Sequence, residues 1–501
     1  MRKAIQLCVA LFFSAVTIGW GQTKIQILSS DITDINKGKD NTRTYYLRGN
    51  VGLKQDVAYM YCDSAVLRQP QNTFKAYGNI RIIQSDTVRV KGKELFYSGD
   101  DRVFTIKKDV VLTTPSSRLA TTALRYDRNN ATAYYLTRST LERKTLRLTS
   151  DDGSYNTDVD LVKLRGDVVA IDSSFLMNTD TLLYYPKRNV YNFAGPTKMF
   201  RDSTTLYCQQ GTYEADQTLL RLEGGAFMSS PGQFIKASTL KYNLSVNSGE
   251  LMGQGLVVDT SQGFVLEGEF IEYVKSPVFV DAYFPVYYRQ DLDGDTLYSK
   301  GDTLHIREDT LGHKNVVLKR NTQFFSSDFQ GISPNFNYHE GKEELALYPS
   351  PTLWSNKNQF ASDSAALILK EDRLDSLFMV GLVRIASQTV DSTFFDQTTG
   401  KYLCGNFVEG QLQTIRLDGN AQNYLHNIND GEAVGLNNST CSWLQLNFDE
   451  GTVSRIRMAK DVQATYSPID KSEPQWLEGC KPNFDLRPVK ASLRPSGASL
   501  K

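Results

Sequence analysis

"TLLYYPKRNVYNFAGPTKMFRDSTTLYCQQGTYEADQTLLRLEGGAF", residues 181–227, returns to the same two residues at one interval: Tyr184 and Tyr213 are 29 apart, as are Gly195 and Gly224. The interval holds outside this stretch. Tyrosines stand at 97, 126, 155, 184, 213 and 242, with Leu95, Leu124, Gly153, Leu182, Gly211 and Leu240 two residues before them. Glycines stand at 49 and 78, then at 166, 195, 224 and 253. One residue of slippage separates the two glycine sets, which a single insertion in a turn explains. A fixed period of this size marks an array in which each unit packs on its neighbours.

The unit reads as strand. In "FKAYGNIRIIQSDTVRVKGKELFYSGDDRVFTI" the pairs Ile80/Ile82, Val88/Val90 and Leu95/Tyr97 alternate with polar residues. Gly78-Asn79, Ser85-Asp86 and Ser98-Gly99-Asp100-Asp101 supply turn chemistry between them. Period-two alternation with β-branched and aromatic enrichment specifies strand, and no stretch shows a helical period. The chain is therefore expected to be all-β, with strands folded over one another around an apolar interior. The recurrent Leu-x-Tyr positions then form one inward stripe.

At 501 residues, 40% apolar and 11% aromatic, the chain exceeds one ordinary core and needs several domains or an extended repeat. Lys+Arg and Asp+Glu balance at 56 each, so bulk charge gives no reason to expect nucleic acid. "MRKAIQLCVALFFSAVTIGWG", residues 1–21, combines a basic start, an apolar stretch and small residues before Gln22. It reads as a cleaved signal peptide, with an uncleaved anchor as the alternative. After it come Cys62, Cys208, Cys404, Cys441 and Cys480, an odd number without a dense framework, read mostly as buried small hydrophobes.

The regular run extends from about Tyr45 to Tyr273. The expected organisation is a signal peptide (1–21), a β-repeat array (22–283), an irregular insertion (284–320), a second β module (321–470) and a tail (471–501). In the insertion, Asp291, Asp293 and Asp295 invite a calcium-loop reading. Thr296 and Asp302 stand where such a loop needs Gly and Glu, so a polar turn is favoured. Beyond it, Phe329 and Phe360, Tyr338 and Leu369, and Ile415 and Ile456 mark renewed correspondence.

Little in the chain points to chemistry. His305, His313, His339 and His426 are scattered without ligand spacing, and no metal or catalytic motif is present. Asp63, Asp86, Asp172, Asp180, Asp202 and Asp363 each precede Ser or Thr, the pattern of turn and edge residues. Arg81, Arg89, Lys91 and Lys93 alternate with apolar residues and read as a solvated outer face that blunts strand edges, in preference to phosphate recognition. No catalytic residue, metal or cofactor is expected. A β-helical carbohydrate-active enzyme and a structural or adhesive β-solenoid with a closed core remain the alternatives.

"YYLRGNVGLKQDVAYMYCDSAVL" and "YGNIRIIQSDTVRVKGKELFY" resemble OstA-like modules of the LptA-type lipopolysaccharide-transport family, with Gly-Asn strands followed by QxD turns. "YPSPTLWSNKNQFASDSAALIL", "GQLQTIRLDGNAQNYL" and "GLNNSTCSWLQLNFDEGTVSRIRM" are similar to the later part of long OstA-like proteins of Bacteroidetes-type bacteria, so the resemblance runs from about Tyr45 to Pro468. It implies an elongated OstA/LptA-like β-jelly roll, a V-shaped pair of antiparallel sheets enclosing an apolar groove. It further implies a periplasmic protein, or one associated with the outer membrane, that shields lipopolysaccharide acyl chains between the two membranes. The implied partners are lipopolysaccharide and other OstA/LptA-like modules, the outer-membrane translocon among them, joined by edge-strand addition. Val51, Leu53, Ile80, Ile82, Leu95, Tyr97, Leu124, Tyr126, Leu182, Tyr184, Leu240 and Tyr242 are the expected groove lining.

Overall fold

The computed structural model describes residues 23–38, 42–84, 87–292, 294–371, 373–389, 393–449, 452–469 and 475–495. The signal-peptide segment lies outside them. The described chain is all-β and antiparallel, a repeat-built jelly roll of long strands joined in sequence, as the alternation requires. It forms two compact units: residues 1–173 with 181–187, and residues 174–180 with 188–501.

In the first unit each long strand serves two sheets. The strands Arg43–Gln55, Ala58–Arg68, Thr73–Gln84, Val88–Ser98, Val103–Thr113 and Arg118–Asp127 pair in chain order. In every pairing the register breaks at mid-strand, at Arg48/Val51, Tyr61/Ser64, Tyr77/Ile80, Lys91/Glu94 and Lys107/Val110. The strand bends there, so its halves lie in two facing layers joined along a corner. Residues 44–48, 64–68, 73–77, 94–98, 103–107 and 123–127 make one layer. Residues 51–55, 58–61, 80–84, 88–92, 110–113 and 118–121 make the other. Beyond it the halves become separate short strands, from Thr132–Tyr135 to Asp152–Asn156.

The repeat glycine is the bend. Gly49 and Asn50 have φ of 72° and 45°, and Gly78 and Asn79 have φ of 73° and 40°. Two successive left-handed residues turn an extended chain sharply, and only Gly and Asn adopt that conformation at little cost. Asn79 Nδ2 donates to Asp63 Oδ2 at 2.9 Å and Asn50 Nδ2 to Asp31 Oδ2 at 2.9 Å, tying each bend to the adjacent strand. The next bend is made by Lys108 and Asp109, at φ 65° and 52°, without glycine. Gly78 precedes Tyr97 by 19 residues and Gly195 precedes Tyr213 by 18, so the extra residue of the slip falls between Gly78 and Tyr97. One 29-residue period is thus two bent strands, an advance of about 10 Å along the sheet.

The second unit continues the plan from Val190–Arg201 to Phe264–Val274, with bends at Gly195, Gly224 and Gly253. Where an irregular insertion is expected at 284–320, the chain instead runs through three long strands, Phe279–Leu292, Asp295–Glu308 and Lys314–Phe325. Their inward residues Val280, Ala282, Leu304, Ile306, Val316 and Leu318 are buried. The period there stretches to 31 (Tyr242 to Tyr273), and Asp, Thr and Lys crowd the outward positions, which hid the pattern. Asp291 and Asp295 flank a tight hairpin in which Leu292 pairs with Asp295; Asp293 lies outside the described residues. Ile415 and Ile456 both pair with Leu446, so their correspondence places them on flanking strands.

Residues 475–495 lie along outward positions of the same unit. Leu477 N donates to Gln397 Oε1 at 2.7 Å, Asn483 N to Gln359 Oε1 at 2.8 Å, and Arg487 Nε to Gln330 Oε1 at 2.8 Å. Gln330, Trp354, Gln359, Ala386 and Gln397 are aligned across successive strands. Trp354 on that row is fully buried.

Candidate functional site

The interior between the facing layers is where the period converges. All twelve expected lining residues are buried, from 0% exposed at Leu53, Tyr97, Tyr126, Leu182 and Leu240 to 5% at Tyr184. In the first unit Val51, Leu53, Ile80 and Ile82 stand on one layer, while Leu95, Tyr97, Leu124 and Tyr126 stand on the other. Neighbouring strands complete the stripe: Tyr97 pairs with Phe74 and Phe104, and Leu124 with Ile106. Leu182 and Tyr184 belong to the first unit and Leu240 and Tyr242 to the second. Leu240 pairs with Leu222 and Leu251.

These side chains fill the space themselves. Ring centroids are 5.4 Å apart for Phe74–Tyr97, 5.1 Å for Phe104–Tyr126 and 6.0 Å for Tyr191–Tyr213. The lining positions are closed to solvent, so a guest chain there requires the layers to part or the rings to turn.

Opposite the corner, the strand-end turns form a mouth, and tyrosine hydroxyls span it. Tyr97 OH donates to Gln55 Oε1 on the facing layer, and Arg128 Nη1 donates to Tyr97 OH at 2.6 Å. Arg128 Nε also reaches Gln84 Oε1 at 3.0 Å. In the second unit Arg201 Nη1 donates to Tyr213 OH at 3.0 Å. Tyr273 OH accepts from Gln233 Nε2 at 2.8 Å and donates to Asp259 Oδ2 at 2.9 Å. Tyr242 breaks the pattern, since its buried hydroxyl has no hydrogen-bond partner among the described residues. Burial pushes the Tyr242 phenol up to about 12, with the Asp259 carboxylate adding to the effect. Burial likewise pushes Tyr97 upward, while the Arg128 guanidinium partly opposes it. The tyrosines therefore stay protonated and act as neutral latches. Gln55 and Gln84 were not expected as site residues, although both are the glutamines of the QxD turns.

The mouth is widest near the end of the second unit. A cleft of about 540 Å³ lies between Asn358, Ser387, Asp396 and His426 on one layer and Phe448 and Val453 on the other. His426, read from sequence as scattered, has Nδ1 3.2 Å from Asp396 Oδ1 and a ring packed on Phe394. His305 Nδ1 is 2.6 Å from Asp281 Oδ1 on an outward face. Among the described residues no cluster of three or more His, Cys, Asp or Glu could hold a metal ion. Cys62, Cys208, Cys441 and Cys480 are free and buried, and Cys404 is half-buried. Burial pushes the Cys62 and Cys208 thiols up to about 12, far from a nucleophilic thiolate. Of the Asp-Ser/Thr pairs, Asp63, Asp180 and Asp363 stand against the bend glycines 78, 195 and 381 at mid-strand, whereas Asp202 stands in a turn.

Residues 22–180 match a family model described as OstA-like protein. No curated protein matches the chain. Among solved structures, similarity is found to LptH, the LptA homologous periplasmic component of the conserved lipopolysaccharide transport device from Pseudomonas aeruginosa. The two are 17% identical, over 21% of this chain and 81% of that one, with a TM-score of 0.21. The chain is thus OstA-like over residues 22–180, the stretch that holds the inward positions from Val51 to Tyr126.

Proposed function

We propose that the chain is a periplasmic carrier of lipopolysaccharide that covers acyl chains between its facing layers and performs no catalysis. The observation that carries this reading is the continuous buried apolar stripe within an OstA-like segment, repeated every 29 residues. Each methylene exposed to water costs about 0.8 kcal/mol, so one chain of ~12 carbons carries nearly 10 kcal/mol. A molecule with several such chains needs cover to cross an aqueous gap. A lining of similar sites in series favours sliding, because no single station binds much more tightly than the next. Val51, Leu53, Ile80, Ile82, Leu95, Tyr97, Leu124, Tyr126, Leu182, Tyr184, Leu240 and Tyr242 would contact the guest once the tyrosine latches release.

Further modules would join by strand addition at exposed edges, including a module of the outer-membrane translocon. The terminal strands Ile32–Lys37 and Gln463–Pro468 are exposed throughout and offer backbone donors and acceptors. Among the described residues no helix is long and apolar enough to cross a membrane.

The closed interior favours a second reading, a structural β-solenoid whose tyrosine stripe is only core. Photoreactive side chains placed at Tyr126 and Tyr184 in cells separate the two. Carriage yields lipopolysaccharide adducts at both inward sites and none at the outward Lys107. A dry core yields none inside, and that result rejects the carrier.

A further inference from the structure

The first unit carries a cationic sheet face in a chain with no net charge. The strand registers align Lys54, Tyr59, Ile83, Arg89, Thr113, Arg118, Glu142 and Arg147 in one outward row. A second row aligns Tyr61, Arg81, Lys91, Val111 and Ala120. These rows hold six cations and a single carboxylate, Glu142, which pairs with Arg118 at 3.1 Å. Arg81, Arg89, Lys91 and Arg147 are exposed. Lys54 lies 4.8 Å over the Tyr59 ring and Arg81 5.7 Å over Tyr61, so two aromatic rings sit among the charges. Edge blunting does not explain this face, because most of these strands are interior to the sheet and have partners on both sides.

We propose that this face docks the first unit onto an anionic lipid bilayer. Three features select that occupant. The charges are spread over adjacent strands at about 4.8 Å spacing on a pleated plane, matching a plane of headgroup phosphates better than one bound anion. No carboxylate other than Glu142 interrupts the two rows, so the field is of one sign. Tyr59, Tyr61 and the exposed Ile83 offer the amphipathic and apolar contacts that settle at a headgroup boundary. This proposal is independent of what the interior carries.

The test is co-sedimentation of the full chain with vesicles, scored as the ratio of binding to phosphatidylglycerol-containing over pure phosphatidylcholine vesicles. Any contribution of the first 21 residues enters both variants below alike. Each cation near an anionic surface is worth roughly a fivefold change in partition. The variant Arg81→Glu/Arg89→Glu/Lys91→Glu should cut the ratio by roughly a hundredfold or more at low salt, and raised salt should erase the difference. The matched variant Lys75→Glu/Lys107→Glu/Arg125→Glu reverses three exposed cations of the other layer and should cost far less. Both triples point outward, and unchanged circular dichroism verifies folding. Equal losses in the two variants overturn the proposal by showing a net-charge effect. An unchanged ratio in the first variant also overturns it, even if that variant loses an acidic protein or an anionic oligosaccharide instead.

Discussion

The phenol of Tyr97 and the side-chain amide of Gln55 meet across the mouth of the first unit, one on each layer, and Arg128 donates to the same phenol at 2.6 Å. Gln55 is 1% exposed, so neither it nor the guanidinium gains a ready water if the hydroxyl goes. Tyr97→Phe should therefore lower stability by about 1–3 kcal/mol. Tyr242 occupies the same repeat position with an unpartnered hydroxyl, so Tyr242→Phe should leave stability unchanged or raise it. Urea midpoints of the two variants measure the contrast, and equal losses would contradict the latch.

The inward stripe was legible because its physics is local. A strand with one buried face must place apolar residues at every second position, and Leu95/Tyr97 and Leu124/Tyr126 do so at an unbroken period. The bends were legible only where glycine marks them. Lys108-Asp109, Arg320-Asn321 and Lys460-Asp461 make the same paired left-handed turn without glycine, held by tertiary pairing that no local propensity announces. The closure of the slot was not legible either, since an apolar stripe serves a hollow groove and a packed core equally well. The Tyr97–Gln55–Arg128 contact joins residues as much as 73 positions apart and follows from register, not from any motif.

Gly78 and Gly225 share a φ of +73° yet differ in what surrounds them. A Cβ on Gly78 would run into the Asp63 carboxylate, whereas a Cβ on Gly225 meets nothing within 4 Å. Both alanine variants bear the backbone strain of roughly 1–2 kcal/mol, but Gly78→Ala should cost more because it also displaces the Asn79–Asp63 hydrogen bond. Adding Asp63→Ala to Gly78→Ala should then cost less than the sum of the single changes. Thermal melts of the four variants decide this; strict additivity would mean that the bend is not tied to its neighbour.

Alkali should unfold the protein through its buried phenols and thiols. Burial pushes Tyr135 and Tyr242 up to about 12 from an ordinary value of 10.0, and Cys62 and Cys208 up to about 12 from 9.0. A folded-state pKa raised above the unfolded one gives stability that is present below the unfolded pKa and lost as pH rises toward the folded one. The loss should begin near pH 9, steepen above 10 and approach ~1.4 kcal/mol per pH unit for each such group. Stability measured from pH 8 to 12 checks the slope, and replacing both cysteines by alanine should delay its onset to about pH 10.

Arg487 lies 157 residues from Gln330 in sequence, yet its Nε and Nη2 both donate to Gln330 Oε1, while Nη1 reaches the Asn356 carbonyl at 2.8 Å. Gln330 is 2% exposed and Trp354 beside it is fully buried, so the 475–495 segment covers a row that would otherwise face water. Arg487→Ala removes both donors to a buried acceptor, which costs about 1–3 kcal/mol, and loosens the segment's hold. Hydrogen exchange should then quicken in Gln330–His339 and Asn358–Ala361, while Arg43–Gln55 in the first unit keeps its protection. Unaltered exchange in those second-unit strands would mean that the segment merely rests on a sheet that needs no cover.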